Sequence, residues 1–410
     1  AFLSDPAARD FVPTLEDVRA AREAAARTAD ASRFCALTEE DVWEIRAFLA
    51  ERYGSTPAFR ALSSANYWQT LAKLGPQLPN AALGELLGLL WGGIGPLTRT
   101  FVQFAEILEG LNGSLDVNCA LNALLSVDMR TGRLSRSADS VISGSTLAGL
   151  AGSSSTGSEE VVVCNQFGLW KSISRVGLAG LAAEVRLTLS GLNSNILANA
   201  DVLEFPGLDT SDRTGNLVRT LSRHPGELGN VFLRANANYL LDRAIIDHKI
   251  TSMVVCLDPA LREIGDLAGL VQKWVESTHG ADASAREQQD SALFLAFTKL
   301  DKELAPRNRG ENGSLDWGRR IGDILQKGFG HSYDWPHEWV NGQPFDAVHL
   351  LRSPSVKAKQ LCDYASDGSE IGFKPVHKER IARAGAEFQA SDLVRRYVAD
   401  PRGIWREAML

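Results

Sequence analysis

The stretch Ala292–Asp301 reads A-L-F-L-A-F-T-K-L-D, an apolar run that breaks abruptly into Thr298-Lys299-Leu300-Asp301. A short continuous apolar run ending in a charged loop reads as a buried parallel strand that delivers its last residues to a functional edge. The tetrapeptide has the [N/T]-K-x-D form that reads guanine, and chemistry accounts for its residue types. One carboxylate accepts two parallel hydrogen bonds from a ring N–H and an exocyclic amine. Adenine lacks that amine and turns an acceptor to the same place, which would leave the acid unpaired. A lysine stem packs over the base while its ammonium stays polar. Thr298, Lys299 and Asp301 are therefore candidate base-binding residues, with a plain strand-end turn as the alternative.

Asn199–Gly207 reads N-A-D-V-L-E-F-P-G, a second short apolar stretch read as a strand ending in Glu204-Phe205-Pro206-Gly207. In P-loop folds that hydrolyse nucleotide phosphates, an acid at such a place organises Mg²⁺ and its waters. A glycine that follows has no side chain, so its N–H can approach the terminal phosphate. Glu204 is thus the candidate magnesium-shell acid, with Pro206 and Gly207 as phosphate-side neighbours. The usual acid there is aspartate, and glutamate is one methylene longer. The polar stretch Leu208–Asn216 has the composition of a switch loop, and Thr210, Ser211 and Asp212 are the nearest candidates for orienting water. No catalytic residue is assigned. Ile250–Leu257 and Phe345–Arg352 supply two more strands, the second followed by Ser353-Pro354-Ser355, where a base-edge loop containing Ser353 would sit. Strands alternating with helical stretches predict an α/β fold with a mostly parallel sheet.

No G-x-x-x-x-G-K-[S/T] phosphate loop occurs in the 410 residues. Gly152–Ser158 has the glycine spacing but no lysine, and Glu159-Glu160 behind it would repel phosphate, so it reads as a loop. Because the chain begins at Ala1, the expectation is a fragment whose phosphate loop lies upstream.

A net charge of −7 and the lack of a Lys/Arg cluster with interleaved aromatics argue against nucleic-acid binding. No stretch reaches the ~18 uncharged apolar residues of a membrane span. The nearest, Ala82–Leu97, is broken by Glu85 and Gly92-Gly93. Cys35, Cys119, Cys164, Cys256 and Cys362 are scattered and odd in number, which suits a reducing cytoplasm. There is no serine nucleophile elbow, no dinucleotide glycine motif after a strand, and no zinc spacing. Asp334-Trp-Pro-His-Glu-Trp339 lacks the two-histidine spacing of a helix-borne metal site and reads as a packed aromatic turn. His224, His279, His331 and His377 fall in polar stretches and receive no role.

Residues 1–135 read as almost wholly helical. Helices are predicted over Leu15–Ala31, Thr38–Arg52, Ser64–Leu74, Asn80–Trp91, Leu97–Leu111 and Val117–Leu125. The Ser/Gly-rich residues 131–158 read as a mobile connection, and Glu160–Cys164, Leu169–Ser174 and Leu181–Leu189 as strands. Leu228–Asp247, Leu261–Ser277 and Leu315–Lys327 are predicted helices, Arg307–Gly313 a charged loop, and 356–410 an interrupted helical region.

The combination of E-F-P-G (Glu204–Gly207), T-K-L-D (Thr298–Asp301), D-W-P-H-E-W (Asp334–Trp339) and L-R-S-P-S-V-K (Leu351–Lys357) resembles the bacterial SrfC-type virulence factors. The likeness covers most of residues 30–400. It implies a P-loop GTPase-like, mostly parallel sheet at about 155–355, of the dynamin-like kind. A large helical insertion at 1–135 and a helical C-terminal extension at 356–410, the start of a following domain, complete the expected organisation. The function it implies is guanine-nucleotide binding, with GTP and Mg²⁺ as cofactors and hydrolysis in the complete protein. The expected partners are that nucleotide and a protein, either encoded in the same operon or a second copy of the chain. Peripheral membrane contact is compatible with this reading. The alternatives are a non-catalytic interaction scaffold on a degenerate GTPase fold and an ATP-using P-loop enzyme.

Overall fold

A computed structural model of the chain describes residues 12–30, 37–127, 134–137, 139–152, 159–187, 200–205, 217–258, 264, 266–304, 321–352 and 357–390. It divides into two compact units, Ala1–Leu208 with Arg213–Leu240, and Asp209–Asp212 with Leu241–Leu410.

The first unit opens with helices α1 (Leu15–Thr28) and α2 (Glu39–Tyr53), and each starts on a reciprocal capping box. The Thr38 N–H donates to Asp41 Oδ2 at 2.7 Å and the Asp41 N–H returns to Thr38 Oγ1 at 3.1 Å, which explains why a T-E-E-D sequence begins a helix. The helix expected over Ser64–Leu74 is α4 (Tyr67–Leu74), and it is preceded by α3 (Pro57–Ser64), which was not expected. The break falls at Asn66, whose φ of 57° is left-handed and ends a right-handed run. Helices α5 (Asn80–Gly88) and α6 (Gly95–Gly110) follow. Val42, Leu62, Tyr67, Trp68 and Leu71 form the centre of this helical core, and the buried Tyr67 hydroxyl donates to the Leu86 carbonyl at 3.1 Å.

The expected helix over Val117–Leu125 is instead strand β1 (Val117–Cys119), a 3-10 turn (Leu121–Ala123) and the start of β2 (Leu125–Val127). Pairing decides this. β1 lies antiparallel to β4 (Glu160–Asn165), which lies antiparallel to β5 (Trp170–Ser174), giving the order β1-β4-β5. Within the stretch read as a mobile connection, β3 (Leu134–Arg136) pairs with β2, and the 3-10 helix Gly144–Ala151 buries Thr146 and Leu147. The boundary expected near residues 135–155 is therefore bridged by strand pairing. Leu181 ends helix α7 (Arg175–Leu181), whose start is capped by Ser174 accepting the Gly177 N–H; residues 182–187 of the expected strand have no regular structure, and 188–189 lie outside the described residues. Residues 200–205, read as a strand, have no regular structure, and Val202 and Leu203 are 67% and 48% exposed. Apolar pattern supplies a face for a strand, but not a partner to pair with. Helices α8 (Leu217–Arg223) and α9 (Leu228–Ile246) complete the first unit, whose division from the second falls within α9.

The second unit is built on three parallel strands in chain order, β6 (Met253–Leu257), β7 (Leu293–Phe297) and β8 (Val348–Leu350). These are the strands read from the three apolar runs. The central strand is buried along most of its length, whereas β6 alternates, with Val254 and Cys256 exposed. The crossovers carry α10 (Asp266–Thr278), α11 (Ala283–Arg286), α12 (Leu300–Leu304) and a π-helical turn at Ile324–Phe329. Trp335, Trp339 and Phe345 pack edge to face, with centroids 5.1 to 6.0 Å apart, so the D-W-P-H-E-W segment is a packed aromatic turn. Complete burial of a side chain such as Phe345 contributes roughly 1.5–3 kcal/mol. The C-terminal region, expected to be helical, starts with a hairpin of β9 (Cys362–Tyr364) and β10 (Glu370–Phe373) before helix α13 (Pro375–Gln389). Gly368 makes the turn possible with a φ of 85°.

Candidate functional site

Parallel strands expose their carboxyl ends together, and ligands of open α/β sheets bind in the crevice outside those ends. Here each strand is followed at once by charge: Asp258 after β6, Lys299 and Asp301 after β7, Arg352 after β8. Backbone bonds hold the three loops in register beyond the strands. The Thr298 N–H donates to the Leu257 carbonyl at 2.8 Å, and the Thr298 hydroxyl reaches the same oxygen at 3.3 Å. The Leu351 N–H donates to Phe297 at 2.8 Å, and the Leu300 N–H to Leu351 at 3.2 Å.

Lys299 has a φ of 59°, a left-handed conformation that a lysine adopts at a cost of about 1 kcal/mol or more. The turn sends its ammonium to Asp258 Oδ2, 3.1 Å away, while Leu300 and Asp301 turn inward at the start of α12. Asp301 is 1% exposed. Arg352 Nε donates to Asp301 Oδ1 at 2.7 Å, and its Nη2 lies 2.7 Å from the same oxygen as an ion pair. The same guanidinium bridges Glu370 with two bonds, Nη1 to Oε1 at 2.7 Å and Nη2 to Oε2 at 2.8 Å. It lies 4.6 Å from the centroid of the Phe373 ring and 3.1 Å from the Cys362 sulfur. Arg352 thus ties the strand ends to the β9–β10 hairpin across the boundary expected at residue 355.

The electrostatics follow from these contacts. Hydrogen bonding to Glu370, reinforced by Asp301 against the opposing effect of burial, pushes the Arg352 guanidinium above its ordinary value. The bonds from Arg352 hold the Glu370 carboxyl below the usual range. Burial raises the Cys362 thiol even though Arg352 opposes it.

The structure therefore gathers Thr298, Lys299 and Asp301 into one place. Glu204 is exposed and belongs to the first unit. Pro206, Gly207, the candidates Thr210, Ser211 and Asp212, and Ser353 lie outside the described residues. Among the described residues no group of three or more His, Cys, Asp or Glu side chains is arranged to hold a metal ion. Sequence reading missed Arg352, Asp258 and Glu370 as members of the cluster. The signal for the first two was present, a charged residue directly behind each apolar run. Glu370 left none, because the hairpin that delivers it was not foreseen.

His279 also departs from its expected place in a polar loop. It is buried, its Nε2 accepts the Ala292 N–H at 3.1 Å, and its Nδ1 meets the Thr278 hydroxyl at 2.8 Å. It supports the amino end of β7, opposite the candidate site.

The second unit is thus an α/β unit with charged loops gathered at the carboxyl ends of its parallel strands. The whole chain, residues 1–410, matches the family described as "Putative bacterial virulence factor", and it belongs to that family. No curated protein and no solved structure matches it. Among the described residues, no helix is long and apolar enough to cross a membrane.

Proposed function

We propose that the strand ends of the second unit bind a purine nucleotide, with guanine preferred, and that Asp301 is the residue that reads the base. The observation that supports this most is the placement of T-K-L-D. It follows the central strand of the parallel sheet, and its lysine occupies a strained left-handed turn between two flanking strand ends. Strain of that kind persists where surrounding contacts fix it and is concentrated at binding sites. In this reading Thr298 anchors the loop to Leu257, Lys299 covers the base with its stem, and Asp301 accepts the N–H donors of guanine. The phosphate side, with Mg²⁺, Glu204, Pro206, Gly207 and Ser353, rests on sequence alone. Kinship to SrfC-type, dynamin-like GTPases belongs to the same proposal. Hydrolysis of GTP enters it only together with a phosphate-binding loop, a sequence the 410 residues do not contain.

The test is a fluorescence titration of the whole chain with mant-GDP and mant-ADP. The expected result is preference for the guanine probe, and its loss by roughly tenfold or more in Asp301→Asn, which turns an acceptor into a donor. Equal response to both probes, unchanged by the substitution, removes guanine recognition. A second reading, a non-catalytic interaction scaffold on this fold, is favoured by the burial of Asp301 under Arg352. In that case neither probe binds.

A further inference from the structure

Arg352 turns two adjacent nitrogens of one planar group toward Asp301 Oδ1: its Nε donates at 2.7 Å, and its Nη2 lies 2.7 Å from the same oxygen. Guanine presents the same chemistry. Its ring N–H, the carbon beside it and the exocyclic amine make up a guanidine fragment, so the two donor edges are near equivalents. Adenine contains no such edge.

We propose that Arg352 is an internal mimic of guanine, a specificity-determining residue that occupies Asp301 until a guanine base displaces it onto Glu370. This rests on the nucleotide reading above and adds the competitor to it.

The geometry gives Arg352 somewhere to go. Its two bonds to Glu370 and its stacking on Phe373 involve the hairpin, so releasing Asp301 leaves a paired guanidinium on the far side. The exchange therefore costs only the Asp301 half of the cluster, and an incoming base returns comparable donors to the buried carboxylate. A ligand that lacks paired donors would not restore the bond that the buried Asp301 gives up when Arg352 moves, which is costly. The competitor thus weakens every purine and sharpens the choice among them. Its position also couples ligand to hairpin. Cys362 is 1% exposed and lies against the Arg352 Nη2, so movement of Arg352 changes access to that thiol.

The experiment uses the whole chain and two readouts. The first is mant-GDP and mant-ADP affinity in the natural chain, Arg352→Gln and Arg352→Lys. The second is the rate of Cys362 alkylation, followed by peptide mass spectrometry so that other cysteines do not interfere, with and without GDP. It requires no variant and so survives any that fails to fold. The expected results are roughly tenfold tighter mant-GDP binding in Arg352→Gln, a smaller gain in Arg352→Lys, no matching gain for mant-ADP, and a GDP-dependent change in Cys362 alkylation. If mant-GDP binds the natural chain but Arg352→Gln binds no tighter, or GDP leaves Cys362 alkylation unchanged, the mimic is overturned and guanine recognition stands. If mant-GDP binds none of the three proteins, both are overturned, and Arg352–Asp301 is a structural ion pair.

Discussion

Lys299 Nζ lies 3.1 Å from Asp258 Oδ2, so the ends of two adjacent strands are joined by an ion pair whose lysine sits in a left-handed turn. The pair is half exposed and contributes ~0–1 kcal/mol, while the turn costs about 1 kcal/mol or more. Lys299→Gly should therefore leave stability unchanged or raise it by up to about 1 kcal/mol, since glycine takes that φ freely. Guanine-probe binding should weaken in the same variant. Urea unfolding beside mant-GDP titration checks both, and a clear loss of stability would show that the turn is not strained.

Arg286 should be sensitive to substitution although arginine is usually a surface residue. It is 3% exposed and donates to four carbonyls, Trp339 at 2.7 Å, Glu338 at 2.9 Å, Ala281 at 3.0 Å and Gly280 at 3.2 Å. Arg286→Met keeps the stem and strands those acceptors. The expected loss is at least about 3 kcal/mol, read as a fall in urea midpoint. A change below about 1 kcal/mol would mean that water or rearrangement replaces the guanidinium.

Stability should fall in mild acid through His279 and His349. Burial lowers the pKa of both; for His279 the Arg286 charge adds to the effect, while hydrogen bonding at the Asp290 backbone opposes it. The folded state therefore holds these rings neutral while the unfolded chain titrates near the ordinary value of about 6.5. Below that pH the unfolded state binds more protons, so stability is full above it and declines as pH drops toward the folded values. His279→Gln should flatten this slope, since one of its two rings no longer titrates. Urea midpoints between about pH 7.5 and 5 provide the check, and an unchanged slope in the variant would remove His279 from the account.

Gly229 should tolerate no side chain although it lies within a helix. A Cβ there would run into the Leu147 carbonyl and the Ala148 backbone nitrogen of the 3-10 segment. Gly229→Ala is expected to lose about 1–3 kcal/mol, overriding the ~1 kcal/mol that alanine normally gains in a helix. Gly385→Ala, with open space around the same atom, is the control and should gain stability. Equal behaviour of the two would mean that the 3-10 segment yields.

Legibility varied with how local each determinant is. The three parallel strands were readable because buried parallel strands are continuous apolar runs, and Thr298, Lys299 and Asp301 were readable because they follow one directly. The start of α2 at T-E-E-D was readable for the same local reason, whereas the Thr14–Asp17 cap of α1 was not read. Val117–Cys119 was not, since V-N-C becomes a strand only by pairing with Glu160–Asn165. Val202 and Leu203 mark the reverse failure, an apolar pattern without a ladder. The Asp301–Arg352 pairing joins residues far apart in the chain: charge behind each apolar run marks both as strand-end residues, but neither neighbourhood says that they pair. His279 shows the same limit, because its burial depends on Trp274 and Trp339 meeting around it.

The register of the parallel sheet has a consequence for how this unit comes into being. Met253 pairs with Leu293 and Leu295 with Val348, and each pairing closes a long loop before any hydrogen bond is returned. Contacts of that range slow the search for the native state. During that delay β6 is a bare strand, and its outward Val254 and Cys256 can meet another nascent chain before β7 arrives. The same architecture that gathers charge at one end of the sheet should therefore slow the folding of the unit and favour association while it forms.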